Sequence, residues 1–417
     1  MTHLCLDVGS TWTKAALVAA DGTLLGTAQH ETTPPEVMDG VAAVTAALSA
    51  ASADVLACSS AGGGLRLAVV GQERLVSTEA GHRVALSAGA KVVHVSAGEI
   101  PNVHALRAAK PDVILLVGGT DGGDDKVLLH NATRLARARV TVPIVLAGNR
   151  SAQPAALSIL DGRMVVPTEN VLPDVGELSP EPARAAIREV FLSHVIGGKG
   201  LSRGSRFREL VRTVTPDAVL SGVAVLAAQE ENGAVLVVDV GGATTDVYSA
   251  VSTLDDAPET TVALPPDRRT VEGDIGMRVS APGVIAEAIA ERLLPADTTL
   301  LDKARHRNAN VDFVPDTEEE RDADLRIAEL AAILAIRRHL RMIGGRLGPK
   351  GAATLVLSGG VFRHANSLAA TEKALRETLG PILRDARVTV DRDGRLGPAG
   401  LLAQAGHQHT AAALLMF

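Results

Sequence analysis

The fold is decided by the stretch Leu4-Cys-Leu-Asp-Val-Gly-Ser-Thr-Trp-Thr-Lys-Ala-Ala-Leu17, in which an apolar strand leads into a hairpin of small and hydroxyl residues. Gly9 lets the backbone come close to a ligand. The hydroxyl groups of Ser10 and Thr11, together with main-chain N–H groups of the turn, suit phosphate oxygens. The pattern therefore predicts a hairpin that binds a triphosphate.

Two charged residues flank this turn. Asp7 is placed to hold magnesium, through water, and Lys14 adds a positive charge for the phosphates. The alternative is an ordinary hairpin whose aspartate and glycine only satisfy the turn. One hairpin alone does not decide between these interpretations.

A second stretch has the same plan and reads Val235-Leu-Val-Val-Asp-Val-Gly-Gly-Ala-Thr-Thr-Asp-Val-Tyr248. Asp239 is placed to organise the water ligands of magnesium. Gly241 and Gly242 allow a close approach to the β- and γ-phosphates. A structural glycine-rich turn is again the alternative.

The end of this second stretch supplies the residues for chemistry. Asp246 is predicted to orient or deprotonate an attacking water or hydroxyl, and Asp7 is the other predicted catalytic residue. Asp246 and Asp239 are also predicted metal ligands, and Thr244 and Thr245 nucleotide-binding hydroxyls. Because each stretch heads its own half of the chain, we expect both hairpins to grip one nucleotide.

Composition sets the class of protein. A chain of 417 residues exceeds the size of a single core, so two or more lobes are expected. Hydrophobic residues make up 46% and aromatic residues only 2%, which suits an α/β protein. A net charge of -7 without a run of Lys and Arg argues against nucleic acid, and no apolar stretch matches a membrane span. The two cysteines predict a cytoplasmic protein.

The order of apolar segments predicts four regions. Residues 1–60 begin the first lobe, 61–170 form an inserted Rossmann-like α/β subdomain, 171–233 complete the first lobe, and 234–417 form the second. The insertion is predicted because its strands and helices alternate, which is typical of parallel βαβ units.

The longest helix is predicted over Asp316–Gly344. Thr317 stands three residues before Glu320, which is the pattern of a helix N-cap, and an apolar stripe follows at helical spacing.

A third glycine motif follows a strand late in the chain. Ser358, Gly359 and Gly360 are predicted to let the backbone lie against the nucleoside. The two hairpins are similar to the phosphate-1 and phosphate-2 elements of the actin, Hsp70 and hexokinase superfamily, and this motif resembles its adenosine element. Leu396–Leu402 is similar to the closing interdomain connector. The resemblance implies a two-lobed actin-like ATPase built from duplicated ribonuclease H-like domains.

Within that superfamily the chain resembles the MutL/GlmL family, the accessory proteins of glutamate (methylaspartate) mutase. The resemblance implies an ATP-hydrolysing accessory or reactivating chaperone that uses ATP and Mg²⁺. It also implies adenosylcobalamin-dependent mutase subunits as partners and allows a homo-oligomer. The segments that carry this resemblance are Ser59–Arg66, Asp112–Gly123, Leu128–Ala132 and Val271–Arg278.

Two of these segments contain residues whose roles stay open. The acidic, glycine-rich loop Gly118–Asp125 follows a parallel strand and is either a ligand or partner site or a tight strand-to-helix loop. Glu272 and Asp274 are predicted to face the ribose or the metal, with a solvated turn as the alternative.

The histidines and cysteines of the sequence do not predict a zinc site or an iron-sulfur cluster. His407 and His409 lie in a polar stretch and are predicted to be solvated, and the spacing of the histidines predicts no zinc site. Cys5 and Cys58 do not fit the cluster cysteines of the related iron-sulfur activators. A small-molecule kinase with Asp246 as base and an actin-like scaffold protein are the alternative functions.

Overall fold

The computed structural model describes residues 2–9, 11–60, 65–72, 81, 84–85, 90–175, 177–196, 201–202, 205–230, 233–251, 267–296, 299–345, 347 and 350–416. The chain divides into two compact units. The first takes described residues from Met1–Gly222 and Gly397–Phe417, and the second from Val223–Asp255 and Pro266–Leu396. The predicted ligand Ser10, and residues 61–64 of the first family segment, lie outside the described residues.

Among the residues that the structure describes, the strands form three five-stranded sheets. In chain order they are β1 (Thr2–Val8), β2 (Trp12–Ala19), β3 (Leu24–Glu31), β4 (Asp54–Ser59), β5 (Arg66–Gly71), β6 (Lys91–Ala97), β7 (Val113–Leu116), β8 (Ile144–Leu146), β9 (Val165–Pro167), β10 (Val211–Val214), β11 (Ala234–Val240), β12 (Thr245–Val251), β13 (Asp267–Glu272), β14 (Ala352–Ser358) and β15 (Arg387–Val390).

The α-helices connect and cover these sheets. They are α1 (Val37–Ala47), α2 (His104–Ala108), α3 (Lys126–Arg137), α4 (Gln153–Ile159), α5 (Glu181–Val190), α6 (Arg206–Leu210), α7 (Thr215–Ala227), α8 (Ala281–Ala290), α9 (Leu300–Ala309), α10 (Glu318–Met342), α11 (Gly360–Arg363), α12 (Ala369–Leu379), α13 (Leu396–Gln404) and α14 (Gln408–Leu414). A π-helix covers Phe191–Ile196, and short 3₁₀ turns cover Arg150–Ala152 and Gly380–Leu383.

Two of the sheets share one topology. The first has the order β10-β4-β1-β2-β3 and the second the order β13-β12-β11-β14-β15. Counted along the chain within each sheet, the first strand is antiparallel to the second strand and parallel to the fourth. The second and third strands are antiparallel to each other. The fifth strand is parallel to the fourth in both. This repeated order confirms the predicted duplication of a ribonuclease H-like domain.

The third sheet belongs to the first unit and is parallel throughout, with the order β6-β5-β7-β8-β9. Leu67 and Val69 of β5 pack in one apolar cluster, whereas Ala68 and Val70 pack in another. Such burial on both faces is typical of a parallel sheet covered by helices. The predicted Rossmann-like insertion is therefore present.

The long helix of the second unit begins where the sequence predicts. The Thr317 side chain accepts a hydrogen bond from the Glu320 backbone N–H at 3.2 Å and caps α10. The helix packs against β11 and β12. Its N-cap prediction is confirmed.

The C-terminal segment corrects one predicted boundary. The sequence placed all of 234–417 in the second lobe, but Gly397–Phe417 packs with the first unit. The reason is a close helix contact, because a Cβ at Gly400 of α13 would lie 1.7 Å from the Ala218 carbonyl oxygen of α7.

No helix among the described residues is long and apolar enough to cross a membrane. Cys5 and Cys58 are both free and buried.

Candidate functional site

The first hairpin joins β1 to β2 through a turn that excludes a side chain. The Gly9 N–H donates to the Trp12 carbonyl oxygen at 2.9 Å. A Cβ at Gly9 would lie 2.8 Å from that oxygen. The Thr32 hydroxyl donates to the Gly9 carbonyl at 2.8 Å, which ties the turn to the end of β3. Thr11 at the tip is exposed.

Asp7 lies half-buried near the carboxyl end of β1, directly opposite Lys14 on β2. Opposed residues of an antiparallel pair project to the same face, so the exposed ammonium and the carboxylate share one side of the sheet. The Thr215 hydroxyl at the start of α7 donates to Asp7 Oδ1 at 2.5 Å. The Cys58 thiol donates to the same oxygen at 3.7 Å. Burial, reinforced by the Asp7 charge, raises the pKa of Cys58 well above its ordinary value, so the thiol stays a neutral donor.

The second hairpin, between β11 and β12, repeats this turn. The Gly241 N–H donates to the Thr244 carbonyl oxygen at 2.9 Å, and a Cβ at Gly241 would lie 2.9 Å from that oxygen. Asp239 is opposite Asp246 in the ladder, as Asp7 is opposite Lys14. Gly242 at the tip is exposed.

A buried arginine holds Asp246. Arg269 on the neighbouring strand β13 donates to Asp246 Oδ1 from Nε at 3.0 Å and from Nη2 at 2.5 Å. Its guanidinium also lies 5.7 Å from the centre of the Tyr248 ring. Burial and then the Asp246 charge raise the pKa of Tyr248 well above its ordinary value, so the phenol is neutral. The guanidinium stabilises the ionised form of the Asp246 carboxylate.

The threonines that follow the two turns differ in their partners. Thr13 and Thr245 are both fully buried. The Thr13 hydroxyl lies 3.2 Å from the Thr32 hydroxyl. Within the described part of the chain, the Thr245 hydroxyl has no hydrogen-bond partner. The second hairpin therefore carries an unsatisfied buried oxygen that the first does not.

The segment after β13 wraps the second turn. The backbone N–H of Met277 donates to the Gly241 carbonyl at 3.1 Å, and that of Arg278 to the Gly242 carbonyl at 2.8 Å. A Cβ at Gly276 would lie 2.5 Å from the Ala243 carbonyl oxygen. Only glycine fits this contact, so part of the segment Val271–Arg278 serves to fix the turn.

Glu272 and Asp274, predicted to face the ribose or the metal, both contact an arginine of α10. Arg338 Nη1 lies 2.8 Å from Glu272 Oε2, and Arg338 donates to both oxygens of Asp274 at 2.7 and 2.9 Å. Glu287 of α8 shares the same guanidinium. Burial raises the pKa of Glu272 against the lowering effect of Arg338. The two acids thus fasten the end of β13 to α10.

The third predicted element lies at the same edge of the second sheet as the second hairpin. Ser358 ends β14 and is the parallel partner of Asp239. Gly359 has φ +116°, and a Cβ there would lie 2.4 Å from the Val240 carbonyl oxygen. Gly360 begins α11. Asp239, Ser358 and the Gly241 turn are therefore brought together.

Sequence reasoning missed several residues around these elements. Thr215, Arg269 and Arg338 come from distant positions, and no local spacing marks them. Asp391 could have been found, since it precedes α13 in a turn that resembles a helix cap. It is buried and accepts from the backbone N–H of Arg395 at 2.7 Å, and burial raises its pKa.

The loop Gly118–Asp125 of the inserted sheet is held by its own neighbours. Asn170 Nδ2 donates to the Gly119 carbonyl and to Asp121 Oδ1, both at 2.9 Å. Asn149 donates to the Gly123 carbonyl at 2.9 Å. These bonds favour the interpretation as a tight strand-to-helix loop.

Comparisons with known proteins agree with this reading of the chain. A family model described as MutL protein matches residues 3–416. Protein MutL of Clostridium tetanomorphum is 37% identical over 374 residues, which cover 84% of this chain and 81% of that protein.

Two solved structures were also similar. Nucleotide-free acetone carboxylase is 15% identical, with 99% of this chain and 70% of that chain covered and a TM-score of 0.38. A ROK family glucokinase from Streptomyces griseus, in complex with glucose and AMPPNP, is 12% identical, with 97% and 99% covered and a TM-score of 0.38. TM-scores this low do not establish a common fold, which rests here on the strand order of the two sheets.

The duplicated sheet, with an aspartate-bearing glycine hairpin in each copy, defines a protein with the actin-like fold. Within that class, the match over nearly the whole chain shows that it belongs to the MutL protein family.

Proposed function

We propose that this chain binds and hydrolyses ATP with Mg²⁺, as an accessory protein that reactivates an adenosylcobalamin-dependent mutase such as glutamate mutase. The observation that carries the proposal is the repetition of one turn. Gly9 and Gly241 close it with N–H to carbonyl bonds of 2.9 Å in both units. Membership of the MutL family supports the mutase as client.

The residues fit magnesium and a triphosphate. Asp7 and Asp239 offer carboxylate oxygens, the ligand type that Mg²⁺ prefers. At both turns a Cβ would fill space that the backbone needs. Lys14 would add charge for the phosphates, and Mg²⁺, when bound, would neutralise part of their negative charge.

Asp246 has a narrower role than the sequence suggested. Because Arg269 stabilises its ionised form, the carboxylate is suited to accept a hydrogen bond from the attacking water and orient it. Arg269 is then a positioning residue that fixes the direction of the Asp246 oxygens.

The test uses the purified full chain, inactivated glutamate mutase and intact adenosylcobalamin. We expect ATP with Mg²⁺ to restore mutase turnover, and a non-hydrolysable ATP analogue to restore much less. If turnover stays lost while ATP is hydrolysed, the client assignment is wrong. ADP release that depends on an added small-molecule hydroxyl substrate would instead identify a kinase.

A further inference from the structure

Three potential metal ligands meet at the start of the first sheet, at the opposite end of β1 from the Gly9 turn. His3 follows Thr2 at the start of β1, and Asp54 begins β4. The two residues are register partners in parallel strands, so their side chains project side by side from one face. His407 joins them from the turn before α14.

The distances suit a shared ligand. His3 Nδ1 lies 3.4 Å from Asp54 Oδ2. The rings of His3 and His407 have centres 4.3 Å apart and are tilted by 45°. One donor atom from each of the three residues lies within 4.8 Å of the others.

The buried histidine, His3, has a ring nitrogen without a hydrogen-bond partner among the described residues. His3 is only 3% exposed, and its Nδ1 has no hydrogen-bond partner within the described ranges. Buried polar atoms in native proteins normally have a partner. The contact with Asp54 is longer than an ordinary N–H to oxygen bond. A metal ion between the two would satisfy both.

The outer histidine is held in place by the packing of its segment. The Thr410 hydroxyl of α14 donates to the Ala20 carbonyl at 2.8 Å. A Cβ at Gly22 would lie 2.5 Å from that of Ala413, so α14 lies directly on the turn between β2 and β3. The His407 N–H donates to the Leu402 carbonyl at 2.9 Å.

We propose that His3, Asp54 and His407 form a binding site for a divalent transition metal of the zinc type. Two imidazole nitrogens and one carboxylate oxygen are a ligand set that Zn²⁺ accepts. Asp54 is 42% exposed, which leaves room for water to complete the coordination. The bound ion joins the first strand of the first unit to its C-terminal segment.

The test uses the untagged full chain, stripped with EDTA and dialysed against Zn²⁺ at neutral pH. We expect one zinc ion per chain and a higher Tm with zinc, because an ion that binds only the folded chain stabilises it. His407→Gln and Asp54→Asn should each weaken zinc binding by at least about 10-fold and abolish the shift in Tm. His409→Gln, an exposed histidine two positions further on, is the matched control and should behave as the wild type.

Co²⁺ gives a second readout, since its visible absorption bands become intense when protein ligands hold it in a site of low coordination number. We expect these bands in the wild type and in His409→Gln, and their loss in His407→Gln. If the wild type binds no zinc, or if all variants bind it equally, the site does not exist. Should His407→Gln fail to fold, Asp54→Asn decides the matter alone, since its side chain lies partly in solvent.

Discussion

The two hairpins have the same turn but present opposite charges to their first aspartate. Asp7 is opposite Lys14, whereas Asp239 is opposite Asp246. Lys14 is exposed, whereas Asp246 is half-buried and paired with Arg269. The turn is thus a common backbone device, and the residue across from the aspartate decides whether the hairpin serves charge neutralisation or chemistry.

Among the tests of this difference between the hairpins, the largest effect is expected from Asp246→Asn. An amide cannot act as the anionic acceptor for water, so we expect kcat for ATP hydrolysis to fall by about 100- to 10,000-fold. The Kd for ATP should change little. Asp302→Asn, an exposed aspartate of the same unit, is the control and should keep full activity. Hydrolysis within a few-fold of wild type would remove Asp246 from the mechanism.

A smaller effect is expected from Lys14→Met. The loss of one charged contact to phosphate should raise the Kd for ATP by about 10-fold. Because the charge serves mainly binding, kcat should fall less than with Asp246→Asn. Isothermal titration with Lys110→Met, another exposed lysine of the first unit, gives the reference. A fall in kcat with an unchanged Kd would mean that the two hairpins do not divide their work in this way.

A third effect concerns stability, and it arises in the core of the second unit. There His339 is fully buried between the hydroxyls of Ser249 and Thr270, at 2.9 and 3.0 Å. Burial lowers its pKa from 6.5 to about 3. Between pH 6.5 and about 3 the unfolded chain therefore binds a proton that the folded chain does not. The contribution of neutral His339 to the free energy of unfolding is complete above pH 6.5 and is lost as the pH falls toward 3.

The slope for that single group should reach about 1.4 kcal/mol per pH unit. Urea unfolding at pH 7.5 and at pH 5.0 measures this pH dependence of the free energy of unfolding. His339→Gln should reduce the pH dependence, while the contributions of the other titratable groups stay unchanged. An equal pH dependence in the variant would show that His339 does not cause the loss.

The sequence determined the elements that are local in character. The strand, aspartate and glycine order of both hairpins, the Thr317 cap of the long helix and the alternation of the inserted sheet all follow from neighbouring residues. These features depend on backbone geometry within a few positions, and the types of neighbouring residues indicate that geometry directly. The fold class followed from their order along the chain, and the family followed from the resemblance of four segments.

The tertiary structure decided what depends on distant partners. Arg269 donates to Asp246 from the next strand, and Arg338 donates to both Glu272 and Asp274. The C-terminal segment joins the first unit, which brings His407 to His3. No spacing in the sequence encodes such pairs, because strand register and helix packing set them only after the chain has folded. The residue types were visible from the start, and their partners were not.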